Sequence, residues 1–282
     1  MSDHSNYKRR RLEGEIEEGE PDPVEKMMQY YLPTSQVQRQ AIRRRIYELE
    51  RNETIQSYIT DNLVLTRPLV AFDLETTGLY PQGGPAPYII SMSFIKIFPG
   101  SSHRIHVFKS GNLRDWDGSV YVRCTEPSDP DALKIHCIEP SHLKHLPSFH
   151  DYARDLHQFL RGCDITGFNI NMFDTPVLTE EFKRAGITWQ PLRAVDTKFL
   201  YNTICEKRGS LQDAHKEFVG EYFAGAHNAE ADTIATLRLL YGMVAKEQRL
   251  RMAVERILRP TPPPRRAVGP TRSSPALLGG RT

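Results

Sequence analysis

Apolar residues in this chain fall into short runs separated by turn formers, and the runs sort by their period. Leu69-Val70-Ala71-Phe72, bounded by Pro68 and Gly78, predicts a buried strand. Tyr80–Pro87 is rich in Gly and Pro and predicts a loop. Tyr88–Phe98 and His103–Phe108 predict two further strands, joined as a hairpin through Pro99-Gly100-Ser101-Ser102. Residues 110–133 are polar, with Pro, Gly and Asp, and predict an irregular insertion. The helical period then appears over Phe149–Leu160, Thr175–Ala185, Leu211–Val219 and Ala229–Ala245, with short strands at Ile165–Phe168 and Ala194-Val195. Strands first, then alternating helices and strands, predict an α/β sheet of mixed direction. Upstream, Ser35 offers a cap for a helix to about Arg51, with Arg43, Arg44 and Arg45 on its polar face. Those arginines serve either as a charged outer face or as contacts to a nucleic-acid backbone.

Composition adds a division of the chain. With 282 residues, 39% of them hydrophobic, there is material for one sizeable core plus flanks. Residues 1–34 run from a basic cluster, Lys8-Arg9-Arg10-Arg11, into acidic residues and predict a disordered arm. The basic cluster reads as a nuclear-import signal, a phosphate contact or a solvated tail, and it favours the nucleus over the cytoplasm. Residues 35–67 form a basic helical extension, 68–245 the catalytic-sized domain, and 246–259 a second basic helical stretch. Residues 260–282 are a Pro/Arg-rich disordered tail. Its P-x-x-P-x-R pattern would suit a protein partner with an SH3-type groove. The net charge of +2 says little, since 37 basic side chains face 35 acidic ones. Four dispersed cysteines, Cys124, Cys137, Cys163 and Cys205, form no C-x-x-C pair, which argues against zinc and fits a reducing, intracellular compartment. No apolar run approaches the ~18 residues of a membrane helix, so no membrane partner is expected.

Chemistry concentrates where the first strand ends. Asp73 and Glu75 stand two apart and so share one face of a strand. Two carboxylates side by side repel unless a cation relieves them, and hard oxygen ligands suit Mg²⁺ or Mn²⁺. A solvated strand end with a polar turn explains the same pair. Downstream, Asp174 opens a helix and is either a cap or a ligand. His227 and Asp232 flank the start of the last long helix and could reach one site. Asp196-Thr197 reads as a structural cap.

In order along the chain, Asp73-Leu74-Glu75-Thr76-Thr77-Gly78, then Asn169 with Phe173-Asp174, then His227-x-Ala229-x-x-Asp232, resemble the three motifs of the DEDD-type 3′–5′ exonucleases, in the histidine (DnaQ-like) subtype. Lys134-Ile135-His136-Cys137-Ile138 is similar to the linker this family places before its first long helix. The chain departs from the family at Phe168 (commonly His), Cys137 (often Gly) and Ser91 (often Glu). The resemblance implies a ribonuclease-H-like mixed sheet of about five strands flanked by helices. It also implies that Asp73, Glu75, Asp174 and Asp232 hold two divalent metal ions, Mg²⁺ or Mn²⁺, about 4 Å apart, and that His227 takes the proton of the attacking water. Thr76, Thr77 and Leu79 would touch the terminal nucleotide, and Asn169 would steady its loop. The expected activity is hydrolysis at free 3′ ends of single-stranded DNA or RNA, releasing nucleoside 5′-monophosphates. The alternative is a catalytically silent nucleic-acid-binding or scaffold protein on the same fold; five filled catalytic positions argue against it.

Overall fold

The structure is a computed structural model and describes residues 53–79, 84–100, 104–109 and 119–260. The arm 1–34, the helix expected from Ser35 to Arg51 and residues 261–282 of the tail lie outside the described residues, as do parts of the 80–87 loop and the 110–133 insertion.

Strand β1 (Leu69–Thr76) is the middle of the sheet. It pairs antiparallel with β2 (Ile89–Ile97) on one edge and parallel with β5 (Asp164–Gly167) on the other. Beyond these lie β3 (Ile105–Val107), antiparallel to β2, and β6 (Ala194–Asp196), parallel to β5. The order β3-β2-β1-β5-β6 is the mixed five-strand sheet that was expected. A short sixth strand, β4 (Val120–Tyr121), pairs with Ser91 and Met92 on the same edge of β2 as β3.

Eight helices follow among the described residues after β4: α1 (Pro130–His136), α2 (Pro140–Leu143), α3 (Phe149–Leu160), α4 (Asp174–Arg184), α5 (Thr197–Ile204), α6 (Leu211–Phe218), α7 (Ala229–Lys246) and α8 (Gln248–Leu258). Four differ from expectation, α1, α2, α5 and α8. The insertion carries β4 and the start of α1, because Asp129 caps that helix through the Asp131 N–H, with Pro130 at its first position. The segment after Asp196 is helical, since the Asp196 carboxylate accepts the Phe199 N–H and buries Leu200 and Tyr201 beneath it. The last helix does not run on from α7. Glu247 is extended, ending α7 and capping α8, so that Leu250, Val254 and Leu258 turn back onto the core.

The sheet separates two apolar layers, and β1 feeds both in alternation. Leu69 and Ala71 pack with α7, α8 and residues Ile55, Ile59 and Leu63. Val70, Phe72 and Leu74 pack with α3 and α4. Phe72 stacks on its cross-strand partner Phe94, ring centroids 5.2 Å apart and nearly parallel, a pairing worth about 0.5–1.5 kcal/mol beyond burial. Helix α7 is buried on most of its surface, as a helix lying centrally on a sheet must be. Continuing the alternation places Asp73 and Glu75 on the α7 side.

At the end of β5 the chain passes so close to β1 that only glycine fits. A Cβ on Gly167 would stand 2.0 Å from Ile170 Cγ2 and 2.9 Å from the Phe72 carbonyl oxygen. Gly167→Ala should therefore destabilise the fold by about 1–3 kcal/mol, the usual cost of overpacking. Chemical denaturation measures this directly; an unchanged midpoint would mean that the segment after β5 shifts freely.

Candidate active site

Each carboxylate arrives on a different element. Asp73 and Glu75 project from β1, and their cross-strand partners on β2 are the small buried residues Ser93 and Ser91. Small residues there let the start of α7 settle close to the sheet, where Thr233 donates to the Ala229 carbonyl and approaches that of Ser93. This brings Asp232, in the first turn of α7, over β1. One oxygen from each of Asp73, Glu75 and Asp232 lies within 4.8 Å of the others.

Asp174 stands outside that trio and reaches it through the backbone. The pairing of β1 with β5 ends at Ala71, so β1 outruns its parallel neighbour. The Leu74 N–H on that edge has no strand to meet, and Asp174 Oδ1 accepts it at 3.2 Å. Of the two roles open to it from sequence, Asp174 is thus no ordinary helix cap: its carboxylate ties α4 to β1.

Two residues with left-handed backbone shape the connecting turns. Asn169 (φ 70°) follows β5, and its N–H and that of Asn171 both donate to the Asp196 carboxylate at 3.0 Å. Asp196, expected only as a cap, therefore also pins the loop that carries Asn169. His227 (φ 67°) precedes α7, and its N–H donates to Asp232 Oδ2 at 2.9 Å. Its imidazole is exposed and lies outside the carboxylate trio. The turn after β1 is held on every side: Thr77 N–H donates to the Tyr88 carbonyl, Tyr88 N–H to Thr77 Oγ1, and Asp129 N–H to the Thr77 carbonyl. Thr76 Oγ1 donates to Gly78 O, and Leu79 stands out at 85% exposure. Ser119 was missed from the sequence; its hydroxyl accepts the Glu230 N–H at 3.1 Å, in the first turn of α7. No local signal marks a contact that spans 111 residues.

Burial pushes all four carboxyls upward, and neighbouring negative charges add to it at Asp73, Glu75 and Asp174. Asp73 rises well above the ordinary range, Glu75 to about 8, Asp174 to about 7 and Asp232 to about 6, the last two restrained by the backbone N–H groups they accept. No Lys or Arg among the described residues forms an ion pair with any of the four. A half-buried group of acidic oxygens with no Lys or Arg ion pair among the described residues is chemically fitted to hard divalent cations, and Asp73, Glu75 and Asp232, with Asp174 beside them, would hold them.

Residues 70–240 match the RNase T family model, an exonuclease family. The chain belongs to that family, the DnaQ-like DEDD 3′–5′ exonucleases. The matched span runs from β1 into α7 and includes all four carboxylates and His227. The chain is similar to the DNA polymerase III epsilon subunit of Pasteurella multocida, 27% identical over 156 residues, covering 55% of this chain and 53% of that protein. It is also similar to the 3′-5′ exonuclease DinG of Staphylococcus saprophyticus, 29% identical over 112 residues, covering 39% of this chain and 12% of DinG. The chain thus spans about half of the polymerase subunit and a small part of DinG. In fold it resembles E. coli Exonuclease I solved with a dT13 oligonucleotide, TM-score 0.52 at 18% identity, covering 67% of this chain and 43% of that one. No described helix is long and apolar enough to cross a membrane.

The raised carboxyls set a sign for metal binding. Each is harder to ionise in the folded chain than in the unfolded one, where reference values are about 3.9–4.3. Their contribution to metal-free stability is therefore fully present below about pH 4 and lost as pH climbs through about 6 to 8. Divalent cations held by the cluster would relieve that loss. Thermal melts with and without Mn²⁺ should show a small gain in Tm at pH 5 and a larger one at pH 8, and Asp73→Asn should shrink the difference. Equal gains at both pH values would count against cation binding at this cluster.

Proposed function

We propose that this chain is a metal-dependent 3′–5′ exonuclease of the histidine subtype, acting on free 3′ ends of single-stranded DNA or RNA. The observation that carries this reading is the meeting of Asp73, Glu75 and Asp232 oxygens within 4.8 Å, with Asp174 anchored beside them, inside the span matched by the exonuclease family. The Exonuclease I likeness, to a protein solved with dT13, supports a single-stranded substrate.

Asp73, Glu75, Asp174 and Asp232 would hold divalent cations, which would supply charge neutralisation at the scissile phosphate and a water made nucleophilic near neutral pH. The chain's own groups do the rest. His227, exposed at the start of α7 and tethered to Asp232 by its backbone, would accept the proton lost by the attacking water. The water oxygen bonds to phosphorus as the P–O3′ bond breaks, so the released nucleotide keeps its 5′ phosphate. Thr76, Thr77 and the exposed Leu79 form the turn against which the terminal nucleotide rests, and Asn169 holds the facing loop through Asp196. Residues 1–34 and 260–282 carry no catalytic group in this reading and serve as arms for nucleic acid or a protein partner.

Incubation with 5′-labelled single-stranded DNA and RNA tests activity, polarity and sugar preference together. Activity should vanish with EDTA, return with Mg²⁺ or Mn²⁺, and give a stepwise ladder that a blocked 3′ end prevents. Early release of a labelled 5′ mononucleotide would contradict the polarity. His227→Ala should slow turnover by about 10²–10⁴-fold, the usual worth of a general base, with Mn²⁺ affinity near that of the parent. A wild-type rate in that variant would make His227 structural. Removing both arms should leave kcat intact; if their arginines meet phosphates, the slope of log affinity against log salt should flatten by roughly one unit per lost contact.

A further inference from the structure

The turn that follows β1 is braced from the opposite layer of the protein. Between Glu75↔Ser91 and Thr76↔Ile89 the β1–β2 register shifts by one residue, leaving Ile90 as a bulge directly beside Glu75. The bulge frees the Ile89 N–H from the ladder, and Glu181 on α4 accepts it at 3.2 Å. Glu181 is 5% exposed, an unusual place for a carboxylate, and burial raises its pKa against the opposing pull of Arg184 and the Ile89 N–H.

Arg184, one turn further along α4, completes the arrangement. Its Nη1 donates to Glu181 Oε1 at 3.0 Å and to the Pro87 carbonyl at 3.2 Å, and its Nη2 donates to the Ala86 carbonyl. Its guanidinium also lies over the Tyr88 ring, 4.0 Å from the centroid. Tyr88 in turn exchanges two hydrogen bonds with Thr77, the donor and acceptor pair that shapes the Thr76-Thr77-Gly78-Leu79 turn. One ion pair, its carboxylate buried and its guanidinium partly open to solvent, therefore holds three consecutive residues, Ala86, Pro87 and Tyr88, and through Tyr88 it holds the turn. A planar guanidinium can serve two carbonyls, a carboxylate and a ring face at once; an ammonium cannot.

We propose that Glu181 and Arg184 are positioning residues for the terminal-nucleotide subsite, fixing the Thr76–Leu79 turn through Tyr88 without touching substrate. This rests on the exonuclease reading, in which that turn receives the nucleotide. Both residues lie toward the end of α4 opposite Asp174, in the layer facing away from Asp73, Glu75 and Asp232, so the role predicts a separation of effects. Nucleotide binding should weaken while cation binding and the chemical step stay unchanged.

The test is binding of thymidine and adenosine 5′-monophosphates in the presence of Mn²⁺, alongside kcat and KM on a short single-stranded oligonucleotide. Arg184→Ala and Arg184→Lys should each weaken mononucleotide binding and raise KM by about tenfold, with kcat within about twofold of the parent and Mn²⁺ affinity unchanged. Arg184→Lys retains a cation for Glu181 and keeps the fold in hand if Arg184→Ala does not accumulate. Glu181→Gln keeps an acceptor for the Ile89 N–H and should lie nearer the parent than Glu181→Leu. A parent-like KM and mononucleotide affinity in a folded Arg184→Lys protein overturns the proposal, as does a loss confined to Tm. A parent that binds mononucleotide but never cleaves sinks the exonuclease reading alone, since the binding series still judges the brace. A parent that binds no mononucleotide overturns the positioning proposal, while the exonuclease reading is judged by cleavage alone.

Discussion

Four carboxylates that repel one another are the constraint around which this fold is built. Two such groups within 4.8 Å repel by roughly 3–4 kcal/mol at an effective dielectric near 20. That is comparable with burying one or two aliphatic side chains at about 1.5–3 kcal/mol each. The chain meets the cost by mounting each acid on an element that is otherwise deeply buried. β1 carries Asp73 and Glu75 past Leu69, Val70, Ala71 and Phe72, all at most 1% exposed, and α7 carries Asp232 ahead of Leu239, Leu240, Met243 and Val244, all fully buried. Charge is concentrated at one end of elements whose other end supplies the packing. The same unrelieved charge is what suits the cluster to cations.

Irregular backbone marks the places where this arrangement is adjusted. β1 outruns β5, and the resulting stray N–H at Leu74 is the handle for Asp174. The bulge at Ile90 frees another N–H, taken by Glu181. Asn169 and His227 adopt left-handed conformations, and in both cases a buried or half-buried carboxylate accepts an N–H at the bend. At each of these four places an acid accepts the N–H, as the need to satisfy buried backbone groups requires. The acids serve two ends: Asp174 and Asp232 join the cluster, while Asp196 and Glu181 only hold its surroundings.

Much of this was legible in the chain itself, for local reasons. The period-two alternation of β1 and the two-residue spacing of Asp73 and Glu75 fixed their common face, because side chains two apart on a strand have no other choice. Helical periods marked α3, α4, α6 and α7 to within a residue at each end, and the alternation of helices with strands after the hairpin implied the mixed sheet. The motif order carried the family. Segments governed by weak local signals went differently. β4 is two residues long and exists only because β2 offers an open edge. α5 depends on a cap whose carboxylate also serves Asn169 and Asn171.

What the sequence determined by itself was therefore which residues share a face, a turn or a motif, since those relations are set by bond geometry within a few residues. Only the tertiary structure decided which helix covers which face of the sheet, and so that Asp232 rather than Asp174 completes the trio with Asp73 and Glu75. It alone decided that Asp174 would find Leu74 across 100 residues and Glu181 would find Ile89 across 92. Those pairings follow from where packing leaves a backbone N–H without a partner, and no spacing along the chain encodes that.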